Sequence, residues 1–130
     1  MTSLKLEWLL RLAVAGAFVG HGAYGAVLGK PAWFGYLAVL GVSQAVVASN
    51  ALMTLIGGFE IGLGLLALVA PLPPLLIFMF VWKVLSELLR LPAGEPYWEF
   101  VERGANIAAP LALLYSVRVR SRSGDRTGPT

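Results

Sequence analysis

The chain has 130 residues, room for one domain, of which 58% are hydrophobic and only 13% charged. Water-soluble domains of this size rarely have such a composition, whereas proteins with several membrane-spanning helices commonly do. The absence of cysteine excludes disulfides, thiol redox chemistry and iron–sulfur ligation. The net charge is +3, and the C-terminal arginines accompany no predicted folded basic surface, so no nucleic-acid partner is expected.

The first apolar segment covers residues 8–28, long enough to cross a bilayer core of about 30 Å. No A-x-A-like cleavage site is followed by a soluble domain, so we expect a retained helix rather than a signal peptide. Gly16 and Gly20 form a small-xxx-small pair that favours close helix packing. His21 is the sole histidine, which excludes a bis-histidine haem and argues against any metal site. A lone histidine is as typical of a hydrogen-bonded structural residue as of a functional one.

Residues 32–50 follow a Gly-Lys-Pro turn and begin with Trp33, Phe34 and Tyr36. Aromatic residues beside such a turn are typical of a membrane interface. We therefore expect a short helix that lies on the membrane surface or dips into it. A fifth full span is the alternative, but it would put the two termini on opposite sides and conflict with the distribution of basic residues.

Three more apolar segments follow. The second segment of the chain contains GGFEIGLG, in which Gly58 and Gly62 offer another close-packing surface. Glu60 lies near the middle of this segment, where a carboxylate costs a few kcal/mol to insert. The predicted spans of the whole chain lie near residues 8–28, 51–70, 75–91 and 98–117.

The predicted fold is therefore an all-α, transmembrane four-helix bundle with a short interfacial helix between the first and second spans. Residues 1–117 form one integral membrane domain, and residues 118–130 form a basic, disordered cytoplasmic tail. With four spans both termini share a side, and Lys5, Arg11 and the C-terminal arginines place that side in the cytoplasm.

A polar stretch between the third and fourth spans needs explanation in so aliphatic a chain. Lys83, Glu87 and Arg90 share one helix face. Charges inside hydrocarbon turn inward and pair, so we expect this face to meet the start of the fourth span, and Glu60 to contact Lys83 or Arg103. The cluster should occupy the outer half of the bundle, above an almost purely aliphatic cytoplasmic half. The residues predicted to line a ligand site are His21, Glu60, Lys83, Glu87, Glu102, Arg103 and Asn106, with Glu99 on the same face as the last three.

Two kinds of role suit this cluster. It is either a set of buried ion pairs that fixes the helix packing, or a pocket in which carboxylates exchange protons and aromatic residues clamp a flat head group. A quinone fits the second role, and Phe80, Trp82, Tyr97 and Trp98 are the candidate clamps. No redox metal or thiol is expected in the cluster, so electrons would come from a substrate, a cofactor or a partner protein. Whether the protein is an enzyme is left open, because a proton-coupled transporter would use the same residues.

Three segments of the chain resemble the DoxX-like family of small four-helix membrane proteins. They are LLRLAVAGAFVGHGAYGAV (9–27), IGGFEIGLGLLALVAP (56–71) and WEFVERGANIAAPLALL (98–114). The residues that match the family pattern are Arg11, His21, Gly22, Gly57, Glu60 and Gly64, and Glu102, Arg103, Asn106 and Pro110 match a subgroup.

The resemblance implies a bacterial inner-membrane protein that spans the membrane several times. Relatives in that family include a subunit of a thiosulfate:quinone oxidoreductase and components of oxidative-stress complexes, so it also implies contact with a quinone and a redox partner. The chain departs from the family in having no cysteine and in having Tyr24-Gly25 where many relatives have a lysine. The alternative is a non-enzymatic protein, either a small transporter or a structural partner, and a homo-oligomer is compatible with either.

Overall fold

The computed structural model describes residues 2–28, 32–42 and 51–125. This part of the chain contains helices and no strands, which confirms the all-α prediction. The helices are α1 (Ser3–Ala26), α2 (Ala32–Val39), α3 (Ala51–Val69), α4 (Pro73–Leu88), α5 (Tyr97–Glu102) and α6 (Gly104–Asp125).

Local sequence explains where several helices begin and end. The Thr2 hydroxyl accepts a hydrogen bond from the Lys5 backbone N–H and caps α1. Pro73 and Pro74 open α4, where a missing N–H is tolerated. The predicted fourth span of residues 98–117 is two helices, because the chain leaves helical geometry at Arg103 before α6 starts.

Helices α1 and α3 pack antiparallel at very short range. A Cβ built on Gly22 would lie 2.4 Å from the Gly57 carbonyl oxygen, and one built on Gly57 would lie 2.4 Å from the Gly22 oxygen. Only glycine permits this approach. The predicted Gly16 and Gly20 pair is wrong as a contact surface, because both residues face open space. Gly58 and Gly62 face open space in the same way.

The four longer helices pack around one apolar core. Contacts join α1 to α3 and α6, and α4 to α3 and α6. Fully buried side chains from each helix, among them Phe18, Met79 and Leu113, fill the space between them. A second, smaller cluster of Trp33, Leu37 and Met53 fixes α2 against the start of α3. We call that side of the molecule the Arg90 end, since α4 ends there.

The opposite side, the Glu7 end, contains a buried charge network that the sequence analysis missed. The Glu7 side chain is fully buried, forms an ion pair with Arg11 at 2.6 Å and another with Arg120. Arg11 also donates to the Leu68 carbonyl at 3.1 Å. The expectation of an almost purely aliphatic half is therefore wrong at its outer margin. The contact between Glu7 and Arg120 also places both ends of the described chain on the same side.

One further sequence prediction differs from the structure, and another is tested only in part. Helix α6 continues to Asp125, so residues 118–125, predicted to be a disordered tail, are helical, whereas residues 126–130 lie outside the described part. The predicted interfacial segment 32–50 contains helix α2, and residues 43–50 also lie outside the described part.

Among the described helices, α3 is the one long and apolar enough to cross a membrane, and a single such helix is weak evidence for a membrane location. Helix α4 has 16 residues, fewer than the about 20 that a full span requires. The outer surface is nevertheless rich in exposed aliphatic and aromatic side chains, including Leu12, Leu55, Val69 and Leu85.

Candidate functional site

Glu60 on α3 is the centre of a buried polar cluster. The residue is 1% exposed, and side chains from two other helices contact its carboxylate. His21 Nδ1 lies 2.5 Å from Oε2, and the Trp82 indole N–H donates to Oε1 at 2.6 Å. Lys83 Nζ lies 3.6 Å from Oε1, so the predicted contact between Glu60 and Lys83 is present as an ion pair. A buried carboxylate needs such partners, because an unpaired charge in an apolar interior is very costly.

Lys83 and Glu87, one turn apart on α4, are each 1% exposed. Lys83 Nζ lies over the Phe18 ring, 4.7 Å from its centroid, a cation–π contact. Within the described residues, Lys83 Nζ and Glu87 Oε1 are the buried side-chain atoms without a hydrogen-bond partner. Glu87 Oε1 faces His21 Nε2 at 4.0 Å. The cluster therefore contains polar atoms held in place but incompletely satisfied, which is common at functional sites.

At the Arg90 end the cluster reaches the surface through a second set of contacts. Arg90 donates from Nε to Glu87 at 2.5 Å and from Nη1 to Glu95 at 2.7 Å. It also donates to the Tyr36 hydroxyl at 2.8 Å, and that hydroxyl donates to Glu95. Burial and the hydrogen bond to Glu95 raise the pKa of Tyr36 to about 12. This arrangement ties α2 to the loop after α4.

A cavity of about 380 Å³ lies between α1, α2, α3 and α4. Its volume is within the range of small-molecule sites, about 300–1,000 Å³, and its lining is mostly apolar with a few converging polar groups. The lining residues are His21, Trp33, Tyr36, Leu37, Leu40, Ile56, Glu60, Trp82, Leu85, Ser86, Leu89 and Arg90.

The predicted site residues fall into three groups. His21 and Glu60 line the cavity. Lys83 and Glu87 lie behind it and contact the residues that do. The remaining three do not line it, and within the described part of the chain no hydrogen bond or ion pair joins them to the cluster. These are Glu102, which is exposed, and Arg103 and Asn106, which are half-buried. The charge of Arg103 nevertheless acts on Tyr36, where it lowers the pKa against the larger effects that raise it.

The aromatic part of the prediction is only partly matched. Trp82 lines the cavity, whereas Phe80 does not, and Tyr97 and Trp98 are 61% and 75% exposed. Helix α2 supplies two other aromatic walls, Trp33 and Tyr36. The Trp33 ring sits on Gly25, where a Cβ would come within 2.4 Å of it, and lies 5.2 Å from the His21 ring. The sequence signal for these two walls is the aromatic start of residues 32–50, which the sequence pattern links to the membrane interface alone.

This geometry can bind and orient a flat, mainly apolar molecule. The Trp33 and Trp82 rings form part of the apolar wall of the cavity, and His21, Glu60 and Arg90 are its titratable or charged members. The described residues contain no group of three or more acidic, histidine or cysteine side chains able to hold a metal ion. Comparison of the chain with protein-family models, with curated proteins and with solved structures gives no match.

Proposed function

We propose that the protein is an integral membrane protein that binds a lipophilic small molecule in the cavity beside Glu60. One observation carries the proposal: an apolar cavity of about 380 Å³ has a buried carboxylate, held by His21 and Trp82, in its wall. Apolar pockets with a few fixed polar groups are the usual form of small-molecule sites. Buried carboxylate and imidazole groups can also give protons to, or take them from, a bound molecule.

A quinone is the ligand class that this chemistry favours. Its ring can lie against Trp82, and its oxygens can accept a hydrogen bond from Arg90 or a proton from Glu60. Its reduction takes up two protons per ring, which matches a site that contains titratable side chains. The protein would then act as the quinone-binding subunit of a redox system, with electrons supplied by a partner protein or a second substrate.

Exposed apolar surface supports the membrane location. Helix α3 has the length and composition of a span, and large aliphatic side chains on α1 and α4, such as Leu9, Leu12 and Leu85, are more than half exposed. Lipid would cover this surface in a transmembrane four-helix bundle with α2 at the interface. The exposed arginines of α6 would place both termini in the cytoplasm. A bacterial inner membrane and membership of the DoxX-like family remain part of this proposal.

A structural role is the second candidate, because a hydrogen bond and an ion pair in the same cluster join Glu60 of α3 to His21 of α1 and Lys83 of α4. Polar pairs of this kind can hold helices together where lipid removes the hydrophobic driving force. In that case the protein would be a partner in a membrane complex and the cavity would bind no ligand.

Cavity filling separates the two candidates. Ser86 lies on the cavity wall, whereas Ser121 is exposed on α6, so Ser86→Phe and Ser121→Phe form a matched pair. A short-chain ubiquinone analogue at about 100 times its dissociation constant should stabilise the parent by about 2.7 kcal/mol in detergent. Thermal unfolding followed by circular dichroism should show this stabilisation in Ser121→Phe and not in Ser86→Phe. An absence of stabilisation in the parent, or equal stabilisation in all three proteins, would contradict ligand binding in this cavity.

A further inference from the structure

His21 lies between two buried carboxylates from different helices. Its Nδ1 atom is 2.5 Å from Glu60 Oε2 on α3, and its Nε2 atom is 4.0 Å from Glu87 Oε1 on α4. Glu87 Oε1 has no hydrogen-bond partner among the described residues. Both ring nitrogens therefore face groups that can hold a proton, which is the geometry of a proton carrier rather than of a singly anchored structural histidine.

The other groups around the imidazole are not placed to exchange protons with it. Arg90 remains protonated and holds the second oxygen of Glu87. The Trp33 ring from α2 lies tilted against the imidazole and has no group that carries a proton to it. Lys83 from α4 is directed to Glu60 and to the Phe18 ring. The charge of Arg103, which follows α5, acts on Lys83, and no charged group of α6 contacts His21 in the described part of the chain.

Arg90 holds Glu87 close to a carboxylate that contacts solvent, at the end of the cluster where water can protonate Glu87. The Arg90 guanidinium holds Glu87 on one side and Glu95 on the other, and the Glu95 side chain is 24% exposed. A solvent-contacting carboxylate is therefore fixed beside the buried one. The opposite direction is blocked by buried apolar side chains, because Val14, Phe18 and Leu63 belong to the core between Glu60 and the Glu7 end.

We propose that His21 carries protons from Glu87 to Glu60, so that a ligand that fills the cavity is supplied with protons from the Arg90 end. This rests on the proposed function, since the cavity ligand is the final acceptor. Protonated Glu87 gives its proton to His21 Nε2, and the ring gives the Nδ1 proton to the Glu60 carboxylate. The net charge of the three groups is unchanged by the two transfers, and the imidazole is left as the Nε2–H tautomer. Loss of the Nε2 proton to water and uptake of one at Nδ1 restore the starting tautomer. The 4.0 Å gap at Nε2 closes by a small ring movement or through one water.

Because His21 is the sole histidine, its ring N–H signals need no assignment and proton exchange at each ring nitrogen can be measured directly. With ¹⁵N-histidine as the only label, NMR in detergent reads the exchange of each ring N–H of His21 with solvent. In Glu87→Gln the exchange at Nε2 should slow by about 100-fold or more, the lower end of what a positioned acid–base group contributes. Glu102→Gln, which changes an exposed carboxylate away from the cluster, should leave the exchange at the parent rate. Parent-like exchange in a folded Glu87→Gln would overturn the proposal.

Two further measurements keep the proposal testable if Glu87→Gln does not fold. The double variant Glu87→Gln and Arg90→Met leaves no fully buried charge without its partner, since Glu95 is partly exposed, and should slow the exchange in the same way. In the parent, the quinone analogue should leave the exchange intact, because protons arrive from Glu87. Exchange that stops when the analogue fills the cavity would show entry through the cavity and overturn the route. Failure of the proposed function would instead appear as the absence of thermal stabilisation by the analogue.

Discussion

Substitution of Gly57 by alanine tests the close approach of α1 and α3, on which the position of Glu60 depends. The new Cβ would lie 2.4 Å from the Gly22 carbonyl oxygen, 2.5 Å from the Ala26 backbone nitrogen and 2.9 Å from the Ala26 Cβ. Two of these contacts are backbone atoms that cannot rotate away, so the helices must separate by about 1 Å to reach ordinary contact distance. Overpacking of this kind costs about 1–3 kcal/mol.

Thermal unfolding in detergent, followed by circular dichroism, measures the effect. A cost of that size corresponds to a fall in Tm of about 4–12 °C for a chain of this length. The separation should also draw His21, next to Gly22, away from Glu60 and weaken quinone binding. Gly58→Ala is the matched control, since its Cβ meets nothing within 4 Å and alanine favours the helix. If Gly57→Ala is as stable as Gly58→Ala, the packing described between α1 and α3 is incorrect.

Three further predictions concern Glu7, Tyr36 and Gly25. Burial raises the pKa of Glu7, but hydrogen bonds from Arg120 and Arg11 outweigh it and hold the pKa below its ordinary 4.5. The stabilisation is therefore present above pH 4.5 and lost as the pH falls through the folded-state pKa, and Glu7→Gln should flatten that acid dependence of the unfolding free energy. The difference between the ultraviolet pH titrations of the parent and of Tyr36→Phe isolates the Tyr36 phenol, which should ionise near pH 12. Ionisation near pH 10 would mean that Tyr36 is not held by Glu95. Gly25→Ala should displace the Trp33 ring and lower quinone affinity by about tenfold, whereas Gly20→Ala, with open space around it, should leave the affinity measured by fluorescence titration unchanged.

Local reasoning from the sequence succeeds where one rule decides the outcome. The pairing of Glu60 with Lys83 follows from the cost of a charge in an apolar interior. The glycines show that a small-xxx-small motif predicts a packing surface only when the helix face on which it lies is known. Gly57 and Gly64 lie at i−3 and i+4 from Glu60, so they share its buried face, whereas Gly58 and Gly62 do not.

Contacts between residues far apart in the chain could not be predicted from local sequence patterns. Arg120 reaches Glu7 across 113 positions, and Arg90 reaches Tyr36 across 54. The Glu7–Arg11 pair at i, i+4 was visible as a helix pair, but nothing in the sequence indicated its third member. Helix α2 was expected from its aromatic start, yet its place over the cavity depends on Trp33 packing against Gly25, a contact that periodicity does not contain.

Photoaffinity labelling with a photoreactive ubiquinone analogue tests the central proposal most directly. After irradiation of the purified protein in detergent, mass spectrometry of proteolytic peptides locates the attached label. Labelling should concentrate within residues 33–40 and 82–90, which line the cavity from α2 and α4, and excess unreactive quinone should suppress it. Label confined to exposed apolar positions such as Leu55 or Val69, with no suppression by excess quinone, would contradict a ligand site beside Glu60.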